Sequence, residues 1–141
     1  MSPPLYTTDI LQLAVSTARI ERLAMPQGSV ERRSKLCGSR VTVDVMLNDN
    51  GRISAFGMEV RACAFGQASS ALVAQHAVGK SLEEIEAARD ALSAYLAGTA
   101  DTPGPWPGLI IFEAARQHSA RHPSIRLALE ATADAMREAL G

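Results

Sequence analysis

Hydrophobic and polar residues alternate most regularly in the segment VTVDVML, residues 41–47. Apolar side chains at the odd positions, facing away from mostly polar even ones, give the period of a half-buried β-strand. The NDNG segment follows, and its Asn50-Gly51 pair favours a hairpin loop because both residues tolerate positive φ. RISAFGMEVR is then the predicted returning strand, with a β-bulge after Ile53, where the alternation changes phase. With Asn50-Gly51 as a two-residue loop, the numbers of facing residues sum to 101.

Helical periodicity predicts helices on both sides of this hairpin. Apolar residues at helical spacing predict a first helix over residues 8–22, with Thr7 or Thr8 as its N-cap. A second predicted helix follows Cys63 and ends at Gly79, a residue suited to the left-handed position after a helix. The capping box SLEE then starts a third helix, which runs to about residue 97.

The remaining segments predict one more strand, a loop and two further helices. SVERRSKL carries charges that fit an edge strand better than a buried one. Residues 98–108 are rich in Pro and Gly and predict a loop, whereas LIIFEAARQHSA predicts a short helix. A last helix begins at Pro123 or Ser124 and continues with an apolar face. A chain of 141 residues with 47% hydrophobic content is expected to form one domain, residues 1–141.

Charge and composition exclude several classes of partner. Lys and Arg number 14 against 15 Asp and Glu, so the net charge of −1 gives no electrostatic reason to expect nucleic acid or an anionic membrane. No run approaches the roughly 18 apolar residues of a membrane span, and MSPPLYTTDI lacks the features of a secretory signal. We therefore expect a cytoplasmic, reducing location, where cysteines are more often reactive or metal-binding than joined in disulfides.

The two cysteines, Cys37 and Cys63, are predicted to lie at the same end of the sheet. The hairpin register places Cys63 opposite residue 38, and directly opposed residues lie about 4.5–5.5 Å apart. Two neighbouring thiols allow three interpretations: small buried hydrophobic side chains, a disulfide, or a thiolate site. Gly38 permits close backbone approach beside Cys37. The residues that follow Cys63 are small and leave room for a bound group, and the unpaired amides of the predicted helix start favour a thiolate.

These motifs, taken in order, resemble the U-type iron–sulfur cluster assembly scaffolds, namely IscU, SufU and the N-terminal domain of NifU. The segments that carry the resemblance are LCGS, LNDNGRI, VRACAFGQASSALV and VGKSLEEI, and the likeness extends over residues 6–140. It implies an α+β fold in which a small three-stranded antiparallel sheet, a meander, packs against several helices. This fold agrees with the predicted order of elements. The segment before the last helix is more similar to the SufU type than to the IscU type.

The resemblance implies a site that holds iron, a nascent [2Fe–2S] cluster or zinc on three cysteines plus an Asp or His. Cys37 and Cys63 match two of the cysteines, but Ser124 stands at the third position and Ser39 at the position of the Asp. Serine hydroxyls are poor ligands beside thiolates. His122 is the candidate to fill the gap. A second chain could also complete the site.

Two other histidines and three functions remain open at this point. His118 lies one helical turn before His122, whereas His76 lies far along the helix after Cys63. The family role implies a carrier rather than an enzyme, with a cysteine desulfurase and apo iron–sulfur acceptor proteins as partners, acting as a monomer or a homodimer. One alternative is a persulfide acceptor that works with the desulfurase, since two close thiols suit sulfur exchange. The other alternative is a degenerate homologue that acts only through partner binding.

Overall fold

The computed structural model describes residues 7–35 and 38–141. Within these ranges, four α-helices and three β-strands follow one another in the order α1, β1, β2, β3, α2, α3, α4. Three 3-10 helices accompany them, at Thr17–Arg19, Leu109–Gln117 and Ser119–Arg121. The α-helices and strands are α1 (Thr8–Ser16), β1 (Gly28–Arg33), β2 (Arg40–Leu47), β3 (Ile53–Arg61), α2 (Ala64–His76), α3 (Leu82–Ala97) and α4 (His122–Leu140).

The three strands form an antiparallel meander in the order β1-β2-β3, as the predicted α+β fold requires. SVERRSKL supplies most of β1, which is an edge strand as expected. Between β2 and β3 the facing residues run from Arg40 opposite Arg61 to Met46 opposite Ala55, so their numbers sum to 101 as predicted. A register shift next to Leu47 confirms the bulge near Ile53.

The hairpin loop has three residues, not the predicted two. The Asn48 amide donates to the Arg52 carbonyl at 2.8 Å, and the Gly51 amide donates to the Asn48 carbonyl at 2.9 Å. Gly51 takes the left-handed conformation, with φ of +77°. A type I turn followed by a left-handed glycine is a common three-residue hairpin loop. The extra loop residue is offset by the extra residue of the bulge, which is why the register beyond the bulge is the predicted one.

Helix boundaries differ from the sequence expectations mainly at the C-terminal ends. Thr7 caps α1 as expected, with its hydroxyl accepting from the Ile10 amide at 3.3 Å, but α1 ends at Ser16 rather than at residue 22. The chain instead passes through a 3-10 turn into an extended segment that crosses the sheet. Helix α2 ends at His76, short of Gly79. The capping box between Ser81 and Glu84 starts α3 as predicted.

One face of the sheet packs against α2 and α4. Val41, Val43 and Val45 of β2 are fully buried on this face, as the alternation predicted. Gly28 of β1 brings the strand against the backbone of α4, and a Cβ there would overlap the carbonyl of Ala135. The close approach of strand to helix therefore depends on glycine at this position. No helix in the described part of the chain is both long and apolar enough to cross a bilayer.

The other face is covered in part by the segment that follows α1. Asp44, predicted on the polar side of a half-buried strand, is 0% exposed. Arg22 donates to both carboxylate oxygens of Asp44, with Nε 2.6 Å from Oδ2, and the Leu23 amide donates to Oδ2 at 3.0 Å. Ser29 donates to Oδ1 at 2.6 Å. Burial acts to raise the pKa of Asp44, but these hydrogen bonds outweigh burial and hold the pKa below its ordinary value.

Candidate metal site

Cys63 lies between the sheet and α2, where the sequence predicted a helix start. It is the N-cap of α2, with extended backbone at φ −65° and ψ 172°, and its carbonyl accepts from the Gln67 amide at 2.9 Å. The residue is half-buried and forms no disulfide with any described residue. Strand β3 ends at Arg61, two residues earlier. Cys63 is thus held at the end of the sheet by a strand on one side and a helix on the other.

Ser39 and Ser124 lie in direct contact, although 85 residues separate them in the chain. Their hydroxyl oxygens are 3.0 Å apart, within hydrogen-bond distance, and both residues are buried. Ser39 immediately precedes β2, and Ser124 is the third residue of α4. The two positions at which the family resemblance implies a ligand, other than the two cysteines, are therefore adjacent in space.

The first turns of α2 and α4 pack closely, which brings the helix start at Cys63 beside Ser124. Gly66 permits this approach, since a Cβ on it would lie 2.7 Å from the Cβ of Ala62 and 3.4 Å from the Ser124 carbonyl. Ser69, one turn further along α2, donates to the Ile125 carbonyl at 2.6 Å. The small residues after Cys63 had suggested room for a bound group. In the structure, those at positions 66 and 69 serve helix-to-helix contact.

Cys37 lies outside the described residues, so its predicted proximity to Cys63 stays a prediction. The structure does describe the turn on either side of it: the Ser34 amide donates to the Ser39 carbonyl at 2.8 Å, and the Gly38 amide donates to the Ser34 carbonyl at 3.1 Å. The register that ends with Arg40 opposite Arg61 is the one on which the prediction rests. Continued past the ladder, it aligns Gly38 with Cys63.

The histidines occupy three different environments. His122, the first residue of α4, places Nε2 at 2.8 Å from the Ala115 carbonyl. That nitrogen must carry the proton to form this hydrogen bond, which leaves Nδ1 as the nitrogen able to bind a metal. His118 is exposed, and the rings of His76 and Trp106 pack edge to face with centroids 6.3 Å apart. Among residues 7–35 and 38–141, no cluster of three or more His, Cys, Asp or Glu side chains could hold a metal ion.

A basic cleft adjoins this end of the sheet and was not predicted from the sequence. Its volume is about 390 Å³. The sequence does place an arginine at or near one end of each strand. The alternation within a single strand does not show, however, that these arginines face one another across the sheet. The cleft is lined by Arg33, Ser34, Lys35, Gly38, Arg40 and Arg61.

Comparison with a solved structure decides the family. The crystal structure of a nitrogen-fixing NifU-like protein (N-terminal) from Brucella abortus matches 96% of this chain and 94% of its own, with a TM-score of 0.89 and 39% sequence identity. The chain belongs to the U-type scaffold family. Membership confirms the resemblance stated from the four motifs, and with it the α+β fold.

Two further solved structures share the U-type fold at lower identity. One is a candidate iron–sulfur cluster assembly scaffold protein for the SUF system from the thermophile Fervidobacterium islandicum AW-1, with a TM-score of 0.85 and 18% identity over 94% of this chain and 96% of that one. The other is a hypothetical protein, with a TM-score of 0.76 and 22% identity over 94% and 97% of the two chains. At such identities the likeness shows the fold alone. The sequence matches no protein-family model and no curated protein.

Proposed function

We propose that this U-type protein is a scaffold for iron–sulfur cluster assembly and that it holds iron, a nascent [2Fe–2S] cluster or zinc through Cys37 and Cys63. The observation that carries the proposal is the contact of Ser39 with Ser124, next to the helix start at Cys63. Positions that the family uses for ligands thus converge from three distant parts of the chain. Identity of 39% to a NifU-like protein supports the same role.

The proposed site has two thiolates where zinc or a [2Fe–2S] cluster takes four ligands. Thiolate is the preferred ligand for both metals, so Cys37 and Cys63 are the residues on which binding depends. His122 can add a third ligand through Nδ1 while Nε2 keeps its hydrogen bond to Ala115. Ser39 and Ser124 are weaker candidates because neutral hydroxyls bind these metals poorly beside thiolates. A second copy of the chain, contributing its own thiolates, would also complete the set.

In this role the cluster is cargo and the protein is a carrier rather than an enzyme. A cysteine desulfurase supplies the sulfur, and apo iron–sulfur proteins accept the finished cluster. The half-buried position of Cys63 suits this exchange, because a fully buried thiolate could not be reached by either partner.

Anaerobic reconstitution with ferric iron and sulfide tests the proposal. We expect visible absorption from a bound cluster in the unaltered protein and its loss in Cys37→Ser and in Cys63→Ser. Circular dichroism should show that both variants keep the fold. Cluster absorption that survives in both variants would contradict the proposed ligands.

A gain of ligand provides a sharper test of the same site. Ser124→Cys supplies the third family thiolate, and we expect zinc to bind at least about 10-fold more tightly because a thiolate replaces a poor ligand. Ser119→Cys is the matched control, since it adds a thiol to an exposed position shortly before α4. Equal gains in the two variants would show that the added thiol acts outside the proposed site.

A second candidate function is that of persulfide acceptor, and the serines at two of the four expected ligand positions favour it. Ser39 and Ser124 are poor metal ligands, whereas the two thiols that remain still suit sulfur exchange. The Cys63 thiolate would attack the outer sulfur of the desulfurase persulfide. The new S–S bond would form on Cys63, the old one would break, and its electron pair would leave on the desulfurase cysteine, so no oxidant is needed.

Mass spectrometry separates the two functions. After incubation with a cysteine desulfurase and cysteine, but without iron, an added sulfur atom on Cys63 or Cys37 supports the acceptor function. Cluster binding without that adduct supports the scaffold function. Neither signal, with desulfurase still bound, would leave a homologue that acts only through partner binding.

A further inference from the structure

Three arginines form a straight row across the end of the sheet. Arg33 of β1 faces Arg40 of β2, and Arg40 in turn faces Arg61 of β3. Directly opposed residues project to the same side of a sheet, so the three side chains share one face. This face is the one opposite to the buried valines. We call Arg33, Arg40 and Arg61 the arginine row.

The row concentrates positive charge in a chain whose net charge is −1. Like charges directly opposite on neighbouring strands are destabilising. Glu31 offsets part of the repulsion, with contacts of 3.1 Å to Arg33 and 3.4 Å to Arg40, and Glu59 lies one rung away on the same face. Arg61, and Lys35 in the adjoining turn, form no ion pair with any described residue. The fold therefore retains a repulsive arrangement that the contacts of Glu31 only partly offset.

The shape of the row favours several carboxylates over one small anion. Neighbouring strands lie about 4.8 Å apart, so three strands spread the guanidinium groups over roughly 10 Å. Each guanidinium can bind a carboxylate through two parallel hydrogen bonds. Arg33 is 66% exposed and Arg40 is 35% exposed, so both side chains can be reached from solvent. A single phosphate would engage only part of such a row, whereas a surface with several carboxylates can engage all of it.

Two arginines of the row are also close in sequence to residues of the candidate metal site. Arg61 precedes Cys63 by two residues, and Arg40 directly follows Ser39. We propose that the arginine row, together with Lys35, is a docking surface for a carboxylate-rich segment of a protein partner. A partner bound there lies over the end of the sheet that carries Cys63. Its identity as the sulfur donor rests on the proposed function, whereas the preference for carboxylates does not.

Binding of a labelled acidic peptide tests the docking surface directly. The probe is an octapeptide with four glutamates, and the same peptide with four glutamines is its control. At low ionic strength we expect the glutamate peptide to bind and the glutamine peptide not to bind. Arg61→Gln should weaken binding about 3-fold, and the change of all three arginines of the row to Gln should weaken it about 30-fold. These values assume that each arginine contributes the free energy of one exposed ion pair. Physiological salt should weaken binding to the unaltered protein.

Arg19→Gln is the matched control for Arg61→Gln. Arg19 is exposed, forms no ion pair with any described residue, and carries the same charge outside the sheet. Equal weakening by the two variants would overturn the proposal, since net charge alone would then explain binding. Displacement of the peptide by inorganic phosphate, where sodium chloride of the same ionic strength does not displace it, would also overturn the proposal in favour of a small-anion site. Cluster reconstitution of the triple variant, which needs no partner, reports on the proposed function separately.

Discussion

The two faces of the three-stranded sheet are covered in different ways. On one face, buried valines of β2 pack against α2 and α4, and Gly28 admits the α4 backbone. On the other face, the extended segment after α1 crosses over Gly57, where a Cβ would lie 2.6 Å from the Glu21 carbonyl. This segment supplies Arg22 and the Leu23 amide to buried Asp44 and does not cover the arginine row. The first face is a hydrophobic core, whereas the second is organised by charge.

The difference shows that charge on one face can serve two purposes. Asp44 and Arg40 lie on the same strand and the same side, four residues apart. The Asp44 carboxylate is compensated by a guanidinium, a hydroxyl and a backbone amide, so its role is to fasten the crossing segment. The arginine row is only partly compensated within the described chain. Charge that the fold does not neutralise is what we assign to a partner.

Removal of the buried carboxylate should have the largest effect. Asp44→Ala leaves Arg22, Ser29 and the Leu23 amide without their acceptor, so we expect the free energy of unfolding to fall by about 3 kcal/mol. Urea denaturation at neutral pH measures the change. Glu59→Ala is the control because Glu59 is exposed on the same face, and its effect should stay within about 0.5 kcal/mol. Similar losses of unfolding free energy in both variants would show that Asp44 does not specifically hold the crossing segment on the sheet.

Acid should also weaken the attachment of the crossing segment to Asp44, but by a smaller amount. The pKa of Asp44 is lower in the folded than in the unfolded state, so its contribution is complete above the ordinary carboxyl pKa and is lost as pH falls through the folded value. The loss begins below about pH 4. It is smaller than that of Asp44→Ala because the protonated carboxyl keeps its shape and can still accept hydrogen bonds. The stability difference between the unaltered protein and Asp44→Asn, measured by urea denaturation at each pH, should narrow as pH falls.

Neutralising the arginine row should have the smallest effect, and of opposite sign. Changing Arg33, Arg40 and Arg61 to Gln removes repulsion between directly opposed charges, although it also removes two contacts with Glu31. We expect the free energy of unfolding to stay level or rise by about 0.5 kcal/mol, as thermal denaturation at low salt would show. A marked loss of stability would mean that the arginine row stabilises the fold, as Asp44 does. The proposed difference between Asp44 and the row would then be wrong.

Much of the fold could be predicted because its signals are local. The β2 alternation, the Asn-Gly turn, the capping box at Ser81 and the phase change after Ile53 each depend on residues within a few positions of one another. The loop length was wrong by one residue, yet the register beyond the bulge was right. The end of α1 was missed because the crossing segment is shaped by Asp44 and Gly57, which lie far away in the chain.

By itself, the sequence determined the order of elements, the hairpin register and the position of Cys63 at a helix start. These features could be predicted because periodicity, turn chemistry and family motifs each depend on residues that are close together in the chain. Only the tertiary structure decided that Ser39 touches Ser124, that Asp44 is buried with four hydrogen-bond contacts, and that three arginines share one rung. These contacts join residues from separate elements. Their geometry follows from how helices and strands pack, and it cannot be predicted from the local propensities of the residues.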